Sequence, residues 1–137
     1  MKVVIDNNIV VDALFPNPEF KETALQVLRL ASSKQINGCV CANSLTDIFY
    51  VVRKTHGAEY TKEKLRGLMS FTETIPLTES DCADALDLPM DDFEDAVVSV
   101  CAAKANADYI VSRDEAFIKA AAVVKVIKPD ELLAIIK

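Results

Sequence analysis

Short apolar runs alternate along this chain with longer segments whose apolar residues recur at helical spacing. Runs of this length, rich in Val and Ile, are typical of strands that are buried on both faces. They lie at residues 3–5, 39–42, 74–77, 108–112 and 124–127, the third being a strand or an extended link. The alternation predicts an α/β domain, in which a mostly parallel sheet is covered by helices on both faces.

The intervening segments predict helices with one apolar face each. They lie at residues 9–15, 20–31, 44–56, 61–71, 80–86, 93–105, 115–121 and 129–136. Ser44 is expected to cap its helix, with Asp47 three residues later in a variant of the capping box. In the next helix we expect Leu65, Leu68 and Met69 to face inward.

The length of 137 residues fits one compact domain over 1–137, and a hydrophobic content of 51% is enough for a sizeable core. No run of about 18 apolar residues suggests a membrane span. The apolar stretch after Met1 is too short for a secretion signal, so we expect a cytoplasmic protein. The four cysteines fall at apolar positions, and we expect reduced, mostly buried thiols.

The formal net charge is −6, but the charges are segregated along the chain. Residues 73–103 contain nine acids and no Lys or Arg, whereas residues 53–66 contain five bases. Two interpretations stay open: a basic face beside an acidic pocket, or two ordinary solvated helix faces.

Acidic side chains follow two of the predicted strands and begin two of the predicted helices. Asp6 ends the first strand, and Asp114 follows the strand at 108–112. Ligands of open α/β sheets bind beyond the carboxyl ends of the strands, so both acids are expected at one rim. Asp47 and Asp95 lie near helix starts, where an acid also has a structural reason to occur. The functional hypothesis requires all four to meet.

Four carboxylates in one pocket would repel one another and raise each other's pKa values. A divalent cation would make such a cluster tolerable, and carboxylate oxygens favour Mg²⁺ or Mn²⁺ over zinc. Such an ion lowers the pKa of a bound water and neutralises a phosphate oxygen. The expected chemistry is therefore hydrolysis of a phosphodiester bond by metal-activated water.

Polar residues near these acids are expected either to orient the carboxylates or to interact with charged groups. Asn8 and Ser112 are expected to orient the carboxylates by hydrogen bonding. Arg113, Arg53 and Lys54 either contact phosphates of a substrate or form salt bridges with the many acids.

With these residues in place, the chain resembles the PIN-domain family over nearly its whole length. The resemblance is carried by VVIDNNIVVDAL at 3–14, CANSLTDIFYVVRK at 41–54, DDFEDAVVSVCAAKANADYIVSRDEAF at 91–117 and VIKPDELL at 126–133. Asp6, Asp95 and Asp114 match three acids of the family. Asn7 stands where the family usually has Thr or Ser, and Asp47 stands where it more often has Glu.

The resemblance implies a PIN-like three-layer α/β/α fold with a central, mostly parallel sheet of five strands. It implies a Mg²⁺- or Mn²⁺-dependent endoribonuclease with Asp6, Asp47, Asp95 and Asp114 as catalytic metal ligands. Many small members resemble VapC-type toxins of toxin–antitoxin pairs, which implies an RNA substrate, an antitoxin partner and a homodimer.

Two other functions are compatible with an acidic pocket on an α/β sheet. A phosphoacceptor signalling domain also binds Mg²⁺, but asparagines follow Asp6 where an acidic pair is needed, and Lys128 alone fits poorly. A PIN-like fold that serves only for binding or dimerisation would be favoured if the pocket failed to bind Mn²⁺.

Overall fold

The computed structural model describes residues 1–136, which form five strands and eight helices. The strands are β1 (Lys2–Ile5), β2 (Asn37–Cys41), β3 (Glu73–Ile75), β4 (Tyr109–Val111) and β5 (Val126–Ile127). The helices are α1 (Asn7–Leu14), α2 (Lys21–Ser32), α3 (Ala42–His56), α4 (Ala58–Phe71), α5 (Glu79–Leu86), α6 (Phe93–Lys104), α7 (Glu115–Ala120) and α8 (Pro129–Ile136). The predicted alternation of strands and helices is therefore confirmed.

The strands form one sheet in the order β3-β2-β1-β4-β5, and every pair is parallel. Two apolar clusters pack against its opposite faces. One contains residues of α1, α2, α3, α4 and α8, and the other contains residues of α5, α6 and α7. The three-layer α/β/α architecture and the five-stranded parallel sheet are thus as predicted.

The pairing of β1 with β4 decides which residues meet at the carboxyl edge of the sheet. Ile5 is paired with Val111, and the Asp6 backbone N–H donates to the Val111 carbonyl at 3.0 Å. Asp6 and Ser112 therefore leave the sheet side by side, although 106 residues separate them along the chain. This register creates the centre of the candidate site.

Two local predictions are wrong. Ser44 is not the cap of α3, because β2 leads directly into a helix that starts at Ala42 with Cys41 as its N-cap residue. Ser44 is instead buried inside the first turn, which leaves Asp47 as the sixth residue of α3. Met69 does not face inward: it is 49% exposed, since Leu68 already occupies the buried face of α4.

All four cysteines are free, and Cys39, Cys41 and Cys101 are buried as expected, while Cys82 is partly exposed. None of the helices within residues 1–136 is long and apolar enough to cross a membrane.

Candidate active site

Asp6 lies at the junction of β1 and α1 and is only 4% exposed. It is the N-cap residue of α1, because its Oδ1 accepts a hydrogen bond from the Asn7 backbone N–H at 2.9 Å. Its Oδ2 accepts from the Ser112 hydroxyl at 2.8 Å and from the Asn8 amide at 3.2 Å. The carboxyl group is therefore held rigidly by three neutral donors.

Ser112 is a buried hydroxyl that connects two of the predicted acids. Its Oγ donates to Asp6 and accepts from the Asn8 amide at 3.0 Å and from the Asp114 backbone N–H at 3.1 Å. One donated and two accepted bonds are the full capacity of a hydroxyl group. Asn8 and Ser112 thus make the contacts with Asp6 that the sequence predicted for them.

Asp114 caps α7 and faces the start of α6. Its Oδ1 accepts from the backbone N–H groups of Ala116 and Phe117, at 3.0 and 3.4 Å. With Asp92 and Asp95 it lines a cavity of about 300 Å³ between the two helix starts. Asp114 can therefore cap α7 and line the cavity at the same time.

Asp95 lies in the first turn of α6. Its backbone N–H donates to Oδ1 of Asp92, the N-cap residue of that helix, at 3.0 Å. Burial first, and then the charges of Asp92, Asp6 and Asp114, raise the pKa of Asp95 to about 7. Burial also raises the pKa of Asp6, with the charges of Asp114 and Asp92 adding to it. Ser112 links Asp6 to the backbone of Asp114, and Asp114 and Asp95 line one cavity, so the three acids lie near the same edge of the sheet.

Asp47 stands apart from that group. Burial raises the pKa of Asp47, and its interaction with the Glu94 carboxyl group partly offsets that effect. Glu94 also accepts from the Asn7 amide at 3.0 Å. The sequence analysis missed Glu94; the available signal was its place beside Asp95 in the first turn of an acid-rich helix.

The guanidinium group of Arg113 is bound to another side chain of the protein. Its Nε and Nη2 donate to the two carboxylate oxygens of Asp12, which is 3% exposed. The guanidinium group also lies 4.4 Å from the centre of the Phe20 ring. The salt bridge, which was one of the two roles left open for Arg113, is therefore the one it has in this structure.

Arg53 and Lys54 lie in the last turn of α3, and both are exposed. The Arg53 guanidinium is 5.4 Å from the centre of the exposed Tyr50 ring. They are at the opposite end of α3 from its junction with β2, so the structure does not bring them to the edge of the sheet where Asp6 lies.

The donor chemistry of the pocket fits a hard divalent cation, because carboxylate oxygens dominate it. Within residues 1–136, however, no three His, Cys, Asp or Glu side chains are arranged as they stand to hold one metal ion. Asp6 and Asp114 already accept hydrogen bonds from the protein itself. The residues therefore fit the ion by the type of their ligand atoms.

The sequence matches the model of the PIN domain over residues 2–116, and the chain therefore belongs to the PIN-domain family. PIN domains are nuclease domains that generally use divalent metal ions. No curated protein sequence shows significant similarity to the chain.

Several solved structures share the fold at low sequence identity. VapBC2 from Rickettsia felis bound to a promoter DNA fragment has a TM-score of 0.72 and 18% identity, covering 93% of this chain and 98% of that one. FitAcB from Neisseria gonorrhoeae has a TM-score of 0.72 and 16% identity, covering 93% and 97%. VapC20 from Mycobacterium tuberculosis, a toxin that cleaves the Sarcin-Ricin loop, has a TM-score of 0.70 and 16% identity, covering 90% and 98%.

Proposed function

We propose that residues 1–137 form a single PIN-like domain that hydrolyses RNA phosphodiester bonds as a Mg²⁺- or Mn²⁺-dependent endoribonuclease. Membership of the PIN-domain family supports nuclease chemistry in general. The RNA substrate, the metal ion and the residues that bind it are each supported by further observations.

The observation that carries the proposal is the contrast among three buried aspartates. Asp12 and Asp81, 3% and 5% exposed, are each paired with a cationic side chain, Arg113 and Lys104 respectively. Asp6 is equally buried, but in the described part of the chain its hydrogen-bond donors are all neutral and its charged neighbours are acids. A buried carboxylate without a cation is costly, so an added cation would be most stabilising at Asp6.

In this proposal Asp6, Asp95 and Asp114 hold the ion, and Asp47 contributes from the far side of the pocket, reaching it through water. Ser112 and Asn8 keep the Asp6 oxygens in place through the hydrogen bonds described above. When bound, the divalent ion supplies a water of lowered pKa and neutralises charge on the scissile phosphate. The buried Asp6 carboxyl group, held by its three hydrogen bonds, would fix where that chemistry takes place.

RNA as the substrate is supported by the similarity to VapC20, a toxin that cleaves the Sarcin-Ricin loop. On this chain, Arg53 and Lys54 remain exposed and are the proposed contacts for phosphates that flank the cleavage site. Arg113 is bound to Asp12, so we propose that it supports the rim of the site and meets a phosphate only with its remaining Nη1.

A role as the toxin of a toxin–antitoxin pair is supported by fold neighbours that are described as VapBC complexes. We propose an antitoxin protein and a second copy of this chain as partners, and the cytoplasm as the compartment. The phosphoacceptor alternative loses its support, because the chain belongs to the PIN-domain family.

The test is cleavage of a panel of structured RNAs with Mn²⁺ or Mg²⁺ by the parent, Asp6→Asn and Asp95→Asn. A matched control is Asp87→Asn, which changes an exposed aspartate at the end of α5. We expect product from the parent and the control only, with all four proteins folded by circular dichroism. Equal cleavage by all four would reject the proposal and point to a contaminating nuclease.

A catalytically weak PIN-like binding or dimerisation module is the second candidate. It is favoured by one observation, that residues 1–136 contain no ready set of three metal ligands. Calorimetric titration with Mn²⁺ separates the two candidates. Binding that disappears in Asp6→Asn supports the nuclease, and absence of binding to a folded parent supports the module.

A further inference from the structure

Glu94 is connected to Asp6 through a single residue. It lies in the first turn of α6, and its Oε1 accepts a hydrogen bond from the Asn7 side-chain amide at 3.0 Å. The backbone N–H of the same Asn7 donates to Asp6 Oδ1 at 2.9 Å. A displacement of Glu94 would therefore also move Asn7, the first residue of α1, whose backbone N–H donates to the Asp6 carboxylate.

Glu94 has acids as its charged neighbours. Burial raises its pKa, the charges of Asp47, Asp6 and Asp92 raise it further, and the hydrogen bond from Asn7 lowers it. Asn7 is therefore the neutral donor that stabilises the Glu94 carboxylate in this position.

The bond between Asn7 and Glu94 joins two helices that are distant in sequence, α1 and α6. A carboxylate accepts an amide N–H through a charge-assisted bond, which is stronger than a bond to a neutral acceptor.

We propose that Glu94 is a positioning residue of the active site, which holds the Asn7 side chain at the start of α1 and so keeps Asp6 in place for the ion. This inference rests on the proposed function and deepens it.

The test compares Glu94→Ala, Asn7→Ala, the double variant and Glu94→Gln on the RNA that the parent cleaves with Mn²⁺. We expect each alanine variant to lower kcat/KM about tenfold, mostly in kcat, as is usual when a group that orients a metal ligand is lost. The double variant should be no worse than the single ones, because both remove the same bond. Glu94→Gln should stay within about threefold of the parent, since its amide oxygen still accepts from Asn7.

The matched control is Glu79→Ala, which removes an exposed acid from the first turn of α5. It should lower stability as much as Glu94→Ala does, because both helices lose an acid near a positive helix end, but it should leave kcat unchanged. Single losses that multiply in the double variant, or a Glu94→Gln variant as slow as Glu94→Ala, would overturn the positioning role.

Asp6→Asn separates this inference from the proposed function. If Asp6→Asn abolishes cleavage while folded Glu94→Ala behaves like the parent, the positioning role alone fails. If Asp6→Asn still cleaves, the proposed function fails first.

Discussion

Asp6 and Asp12 are two buried aspartates of the same segment, and the protein treats them in opposite ways. They are 4% and 3% exposed, and both receive their partners from the turn that follows β4. Ser112 donates a hydroxyl to Asp6, whereas Arg113, the next residue, forms a two-point salt bridge with Asp12. One short turn therefore neutralises one carboxylate and leaves the other with neutral donors only.

The difference separates a structural carboxylate from one that is suited to bind a cation. Asp12 raises the pKa of Arg113 through their hydrogen bonds, which is the sign of a satisfied pair. Burial raises the pKa of Asp6, and acids rather than bases surround it. Asp12 and Asp6 are thus similarly buried, but Asp12 is paired with Arg113 and stabilises α1, whereas Asp6 keeps an unfavourable buried charge.

The largest effect is expected from Asp6→Asn. We expect RNA cleavage to fall by more than about 100-fold, since the loss of a metal ligand should exceed the cost of losing a group that only orients one. In EDTA the variant should melt at the same temperature as the parent or higher, because a buried charge has been removed. Near-parent cleavage by Asp6→Asn would remove the distinction between Asp6 and Asp12.

Ser112→Ala should have the next largest effect. Its hydroxyl holds Asp6 Oδ2 and accepts from Asn8 and Asp114, so we expect kcat to fall by about 10- to 100-fold. Ser70→Ala, which removes an exposed hydroxyl bonded within α4, is the control and should leave kcat unchanged. Equal activity of the two variants would contradict a role for Ser112 in orienting Asp6.

Asp12→Asn should act on stability more than on chemistry. It leaves Arg113 without its charged partner, and we expect a loss of about 1–2 kcal/mol in the free energy of unfolding. The value is modest because the Arg113 side chain is 38% exposed and water can replace part of the bond. Urea denaturation of Asp12→Asn and Asp6→Asn in EDTA measures this loss of stability. A greater loss in Asp6→Asn than in Asp12→Asn would contradict the assignment of Asp12 as the structural carboxylate.

The last expected effect is a shift of melting temperature with pH in the absence of metal. The pKa of Asp95 is about 7 in the folded chain and about 3.9 in an unfolded one. Between these values the folded protein binds more protons than the unfolded one, so stability in EDTA should fall as pH rises from about 4 to 7. Asp95→Asn should flatten this slope.

Mn²⁺ should oppose that slope, because the ion binds carboxylates only after they lose their protons. The rise in melting temperature on adding Mn²⁺ should therefore be larger at pH 8 than at pH 5. Differential scanning fluorimetry with and without EDTA measures both effects. A parent that is steadily stabilised from pH 5 to 8 in EDTA, with Asp95→Asn following it, would contradict the pKa argument.

The sequence alone determined the order and kind of the elements, because apolar periodicity is a local property that each segment carries in itself. It also placed Asp6 and Asp114 at the ends of strands, from which a parallel sheet brings them to one edge. It failed at Ser44, since the start of α3 depends on how β2 leaves the sheet and not on the capping residue.

Only the tertiary structure decided which partner each charged side chain has. The register of β1 against β4 set Ser112 beside Asp6 and turned Arg113 towards Asp12, and the packing of the domain brought Glu94 of α6 to Asn7 of α1. These partners lie tens of residues apart, and an offset of one residue would exchange them. Local sequence specifies the elements, whereas pairings across the sheet depend on packing that no single segment contains.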